Sequence, residues 1–332
     1  MLPSMKMRAM DRGKIITIAP FAVVAILAIV VALGGYLVSP PAPRSAEQSA
    51  SPAASPGARA SSTPEPTQAP SPGPAATGTA QSNDAVEMLR VHNDLRTAVK
   101  APAVRSDDRV TAAAQHHADY LARAGAIGHD ESPGGAGFTG ATVQDRLAAQ
   151  GFAGATASEV AASSGSGTED VRFLWDLPYH RLGLMHPHAA IAGWGHAEIG
   201  GHTATVGVLV FDFGAPAPDR VRSPAPGQRV SASWDGAESP DPLPTGAARP
   251  VGYPVMVVYA NARAVDVRSV TLTDPAGSAV AIFAVPQIYE RDYSAIVPAA
   301  PLATGTRYRV RFELSVAGTE LVDEWEFETS AN

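Results

Sequence analysis

Nine histidines occur in the sequence, all between His92 and His202, and no cysteine accompanies them. An imidazole can ligate a divalent ion, move a proton or simply hydrogen-bond a core, and its neighbours decide which. Lacking cysteine, the chain has no disulfide, no thiolate metal site, no iron–sulfur cluster and no thiol nucleophile. Within the run VTAAAQHHADYLARAG, His117 shares a helical face with Val110, Ala114, Ala118 and Leu121 and reads as a core histidine, while His116 points to solvent. His186-Pro-His188 offers two imidazoles without a third ligand. Ser163, Ser164 and Ser166 sit in a glycine-serine stretch that reads as a flexible turn. No G-x-S-x-G elbow, H-E-x-x-H pair, P-loop or G-x-G-x-x-G fingerprint is present. The formal net charge of -7 argues against a protein built to grip nucleic acid.

The elements around these residues can be placed from spacing and caps. NDAVEMLRVHNDLRTAVK repeats apolar residues at close to helical spacing behind Ser82 or Asn83 as cap. A second helix starts at the Asp107 cap and stops at Gly125, and VQDRLAAQ forms a short helix ending at Gly151. Residues 168–177 make a helix that Pro178 ends. The runs AAIAGWGHAEI and TATVGVLVFDF are strands joined by Gly200-Gly201. Helices followed by an antiparallel hairpin predict an α+β domain.

His92-Asn93 with Arg96 resembles the opening helix motif of the CAP superfamily, also called SCP domains, which includes cysteine-rich secretory, antigen 5 and pathogenesis-related proteins. The resemblance continues through His129, Gly134-Gly135, Asp145-Arg146-Leu147, Ser158-Glu159-Val160 in place of a Gly-Glu-Asn turn, Trp175, His180-Arg181, Gly193-Trp194-Gly195 and Phe211-Asp212-Phe213-Gly214. It covers about residues 83–214 and implies an α-β-α sandwich. It also implies a cleft lined by His129, His180 and Glu159, able to hold a ligand or a divalent metal such as zinc. No second glutamate of the family pattern is evident, and Asp176 is the nearest acid.

Residues 1–14 carry a net +3 and precede residues 15–38, 24 in a row without a charge. A bilayer core takes about 20 such residues, and positive flanks stay cytoplasmic. A single-pass signal anchor at 15–38 follows, with the N-terminus inside and the rest outside the cell membrane; the alternative is secretion after signal cleavage. Residues 39–82, built of Pro, Ala, Ser, Thr and Gly, form a disordered spacer. Beyond a Pro-rich joint at 215–250 with a possible first strand, residues 251–332 hold several strand-like runs that suggest an all-β immunoglobulin-like sandwich. If Ala317-Gly318 is a two-residue hairpin loop, Arg311, Arg309 and Arg307 face Glu324, Glu326 and Glu328, and Val310 and Tyr308 lie beside Trp325 and Phe327. The Pro-rich joint suggests weak coupling between the folded parts.

The combined expectation is a membrane-anchored extracytoplasmic CAP-domain protein that binds a ligand, lipid or protein at the cell envelope, leaning away from catalysis. One alternative is a metal-dependent hydrolase of peptide, ester or wall material, with Glu159 acting on a water held by metal on His129 and His180. The other is a structural or adhesion protein of the surface.

Overall fold

Local capping chemistry sets the first helices of the computed structural model, which describes residues 82–236, 238–261 and 264–331. The tail 1–14, the apolar segment 15–38 and the proline-rich stretch through residue 81 lie outside the described residues. Among the described residues no helix is long and apolar enough to cross a membrane. Helix α1 (Asn83–Ala98) begins at Ser82, whose hydroxyl accepts from the Ala85 N–H. Helix α2 (Asp108–Ala124) begins at Asp107 and ends on Gly125, in the left-handed conformation with φ 59°. Helix α3 (Val143–Ala149) carries a reciprocal capping box between Thr142 and Asp145. Strand β1 (Thr156–Ala162), helices α4 (Gly167–Asp176) and α5 (Pro178–Met185), and strands β2 (Ala189–Ile199) and β3 (His202–Phe211) follow. Pro178 ends α4 as expected, but it also opens α5, where a missing N–H leaves nothing unpaired.

Strands β1, β3 and β2 form an antiparallel sheet in that order. Side chains alternate across it: Val206, Val208 and Val210 share a core with α2, whereas Leu209 and Trp194 share one with α1 and α4. Helices therefore cover both faces. The segment expected as a turn, Ser158-Glu159-Val160, is instead the middle of β1, with Glu159 opposite Val208. No glycine or proline interrupts 156–162, and pairing with β3 satisfies backbone groups that a loop would leave to solvent.

Eight further strands make two four-stranded sheets. Strands β5 (Arg229–Val230), β7 (Val265–Thr273), β10 (Arg307–Val316) and β11 (Thr319–Thr329) form one, in the order β5-β11-β10-β7. Strands β4 (Arg220–Ser223), β6 (Val255–Tyr259), β8 (Ile282–Ala284) and β9 (Tyr293–Pro298) form the other, in the order β4-β6-β9-β8. The β10–β11 register is the one expected: Arg307, Arg309 and Arg311 face Glu328, Glu326 and Glu324, and Val316 faces Thr319. Ala317 and Gly318 have φ of 50° and 82°, the doubly positive pair of a tight hairpin turn.

Strand β6 is buried on both faces. Val255, Val257 and Tyr259 join the core with Phe312, Trp325 and Phe327 of the opposing sheet. Met256 and Val258 join the core of Trp175, Leu177, Tyr179 and Leu182 from α4 and α5. Arg181, fully buried, donates from Nη1 to Ser223 Oγ at 3.1 Å and to the Pro254 carbonyl at 3.2 Å, with its guanidinium 4.7 Å from the Tyr253 ring centre. The expected weak coupling is thus overturned: one continuous core runs from α1 to β9.

Candidate functional site

The first helix motif proves to be a brace. His92 Nε2 donates to the Leu184 carbonyl at 2.9 Å, and Arg96 Nη1 donates to the same oxygen at 2.6 Å. Asn93 pairs with both backbone groups of Val104, at 3.0 and 2.9 Å. These bonds anchor the end of α5 and the loop after α1.

Beneath the sheet edge lies a buried charged network. Glu159, projecting from β1 with its side chain 3% exposed, accepts from Arg146 Nη2 at 2.7 Å and pairs with His129 Nδ1 at 3.1 Å. His117 lies 3.0 Å from Glu131 and 3.4 Å from Glu159. It is the satisfied core histidine its helical face suggested, and it also braces the glutamate. Arg146 is fully buried and donates to the His129 carbonyl at 3.0 Å, which fixes the loop carrying that imidazole. Glu131 and Glu159 are thus gathered out of water around the Arg146 guanidinium and the His117 imidazole, while the exposed His129 closes the network on the cleft side.

His180, in the first turn of α5, lines the same cleft but takes a different partner. Its Nδ1 donates to Glu238 Oε1 at 2.7 Å, and the backbone N–H groups of Tyr179 and His180 donate to the same carboxylate at 3.2 and 3.0 Å. Glu238 is buried at the positive end of α5, in the segment that joins the two halves. It stands in a Pro-rich run without periodicity, so no sequence pattern marks it. Its charge does have a consequence nearby: burial first, and Glu238 next, push the Tyr179 hydroxyl up to about 12. Asp176, the acid nearest His180 in sequence, accepts from the Tyr253 hydroxyl at 3.1 Å instead, and burial pushes its carboxyl up.

The cleft above these residues has a volume of 370 Å³. One wall is His129, Glu159, Val160, His180, Leu182 and Phe211; the other is Ser239, Tyr289, Glu290 and Asp292 from beyond β4. His129 and Glu159 are in contact, whereas His180 bonds to Glu238, the residue before Ser239 of the second wall. His186 Nε2 donates to Asp292 at 3.1 Å and its Nδ1 accepts from the His188 N–H at 3.1 Å, so the His-Pro-His pair is committed to hydrogen bonds.

As a metal centre the donor set fits poorly. Both Glu159 oxygens are engaged, one by a guanidinium that repels a cation, and Glu238 holds the near nitrogen of His180. Among the described residues no group of three or more His, Asp or Glu side chains is placed to hold an ion.

Residues 89–213 match the family model for the cysteine-rich secretory protein (CAP) family. This part of the chain is a CAP domain. No curated protein matches the sequence. Among solved structures, the chain is similar to an outer surface protein of Borrelia burgdorferi, at 16% identity and a TM-score of 0.34, over 40% of this chain and 96% of that one. It is similar to an extracellular SCP-domain protein of Bacillus anthracis at 19% identity and a TM-score of 0.33, over 39% of this chain and 40% of that one. It is also similar to CopC of Methylosinus trichosporium OB3b, at 20% identity and a TM-score of 0.24, over 33% of this chain and 88% of that one.

Proposed function

We propose that the chain is an extracytoplasmic binding protein of the cell envelope, held to the membrane by residues 15–38 and spaced from it by 39–82. Its CAP domain and the two sheets beyond it, read as an immunoglobulin-like sandwich, then enclose a ligand between them. The observation that carries this reading is the 370 Å³ cleft, whose imidazoles are oriented from below by Glu159 and Glu238. That volume suits a small molecule or one segment of a larger one. His180 keeps Nε2 free of protein partners among the described residues, so one polarised nitrogen remains for the ligand.

Native mass spectrometry of the full chain purified from an envelope fraction tests the proposal. A non-covalent small molecule should accompany the parent and be lost from Thr156→Trp, which fills the cleft from an exposed lining position. Equal retention by the variant would place the ligand elsewhere and overturn the reading.

The hydrolase alternative draws on one contact, His129 Nδ1 to Glu159 at 3.1 Å on the cleft wall. It requires a divalent ion on His129 and His180, which the Arg146-bound Glu159 and the Glu238-bound His180 disfavour. Zinc titration by calorimetry of the parent, His129→Ala and His180→Ala measures this. Equal affinity in all three removes that alternative.

A further inference from the structure

The wall contributed from beyond the CAP domain carries chemistry of its own. Asp292 pairs with His186, while Glu290, exposed at the mouth of the cleft, receives no hydrogen bond or ion pair from any described residue. Burial and the neighbouring Asp292 charge both push the Glu290 carboxyl up, against a smaller opposing pull from His186. Facing this corner, Phe211 and Phe213 stack with centroids 5.9 Å apart, and the Phe213 ring lies 5.7 Å from that of His186. Phe213 is 57% exposed and Tyr289, set edge-on to Tyr179 at 5.4 Å, is 61% exposed. Among the described residues no lysine or arginine lines the cleft.

These facts select among ligand charges. An anion would meet Glu290 and Asp292, the latter already paired with His186, with no lysine or arginine among the described lining residues to offset them. A bare divalent ion would find too few converging ligands. An organic cation suits both features, because ring faces attract positive charge and so do two neighbouring carboxylates. We propose that this end of the cleft is a subsite for an organic ammonium ion joined to an apolar body. Its charge lies against Glu290 and Asp292, its alkyl groups lie on Phe213 and Tyr289, and its body runs toward Leu182 and Val160. This rests on the cleft being a ligand site and adds the class of ligand.

Three probes built on one phenyl ring and differing in charge test it on the full chain: benzyltrimethylammonium, benzyl alcohol and benzoate, titrated by calorimetry. The cation should bind about tenfold or more tightly than the other two. Glu290→Gln combined with Asp292→Asn should remove that preference. Phe213→Ala, at an exposed position that leaves the core intact, should weaken the cation about tenfold and leave benzyl alcohol unchanged. Equal binding of benzoate, no binding of the cation, or full preference in the double variant would overturn the subsite. If all three probes bind alike and Thr156→Trp blocks them all, the cleft reading stands and only the ligand class falls. If the cation binds Thr156→Trp and the parent equally, both readings fall.

Discussion

His92 shows how a single buried side chain can set the acid limit of the fold. It is fully buried, and its Nδ1 has no hydrogen-bond partner. Burial chiefly, with the neighbouring Arg96 charge also opposing protonation, brings its imidazole down to about 3. An unfolded imidazole takes its proton near pH 6.5, so between about 6.5 and 3 the unfolded chain binds more protons than the folded one. Stability contributed by neutral His92 is therefore complete above that window and is lost as pH falls through it. His92→Gln keeps a donor for the Leu184 carbonyl and removes the titration. Between pH 7 and pH 4.5 the parent should lose about 2–3 kcal/mol more than this variant in urea unfolding. Identical pH dependence in the two proteins would show that His92 is not the group that titrates.

Helix α2 lies against β2 so closely at Gly193 and Gly195 that neither position has room for a side chain. A Cβ at Gly195 would fall on the backbone of Ala114 and Gln115, and one at Gly193 on that of Val110 and Thr111. The approach lets Gln115 donate to the His196 carbonyl at 2.8 Å and accept from the His196 N–H at 3.2 Å. Gly195→Ala should cost about 1–3 kcal/mol or more, seen as a lower melting temperature. Unchanged melting would mean that α2 can slide without loss. At this scale much was readable, because Ser82, Asp107 and Gly125 act through their own local chemistry and the β10–β11 pairs act through a period of two. Strand β1 was not, since TASEVAA lacks a strong alternation and becomes a strand only because β3 offers it an edge. The cleft was half readable for a similar reason. His129, Glu159 and His180 were singled out by a family resemblance, whereas Glu238, Glu290 and Asp292 stand in no such pattern and only tertiary packing brings them to the cleft.

Across the whole molecule, the packing of β6 decides how the parts depend on each other. Its continuous apolar run VMVVY fits a strand buried on both faces, with Met256 and Val258 sharing a core with α4 and α5. A CAP fragment spanning residues 83–214 would return Leu177, Tyr179 and Leu182 toward water and leave Arg181 without Ser223 and the Pro254 carbonyl. Exposing three such side chains costs about 5–9 kcal/mol at 1.5–3 kcal/mol each, which is comparable to the entire stability of a domain. The fragment should therefore be insoluble or unfold without a cooperative transition, while the chain retaining residues 83–332 unfolds in one step. Calorimetry of both proteins checks this. Two separate transitions in the longer protein, or a fragment melting at the same temperature, would mean that the shared core is a contact between independent domains. A single transition would make the second wall of the cleft as permanent as the first, and it would tie the orientation of His180 by Glu238 to the stability of the fold itself.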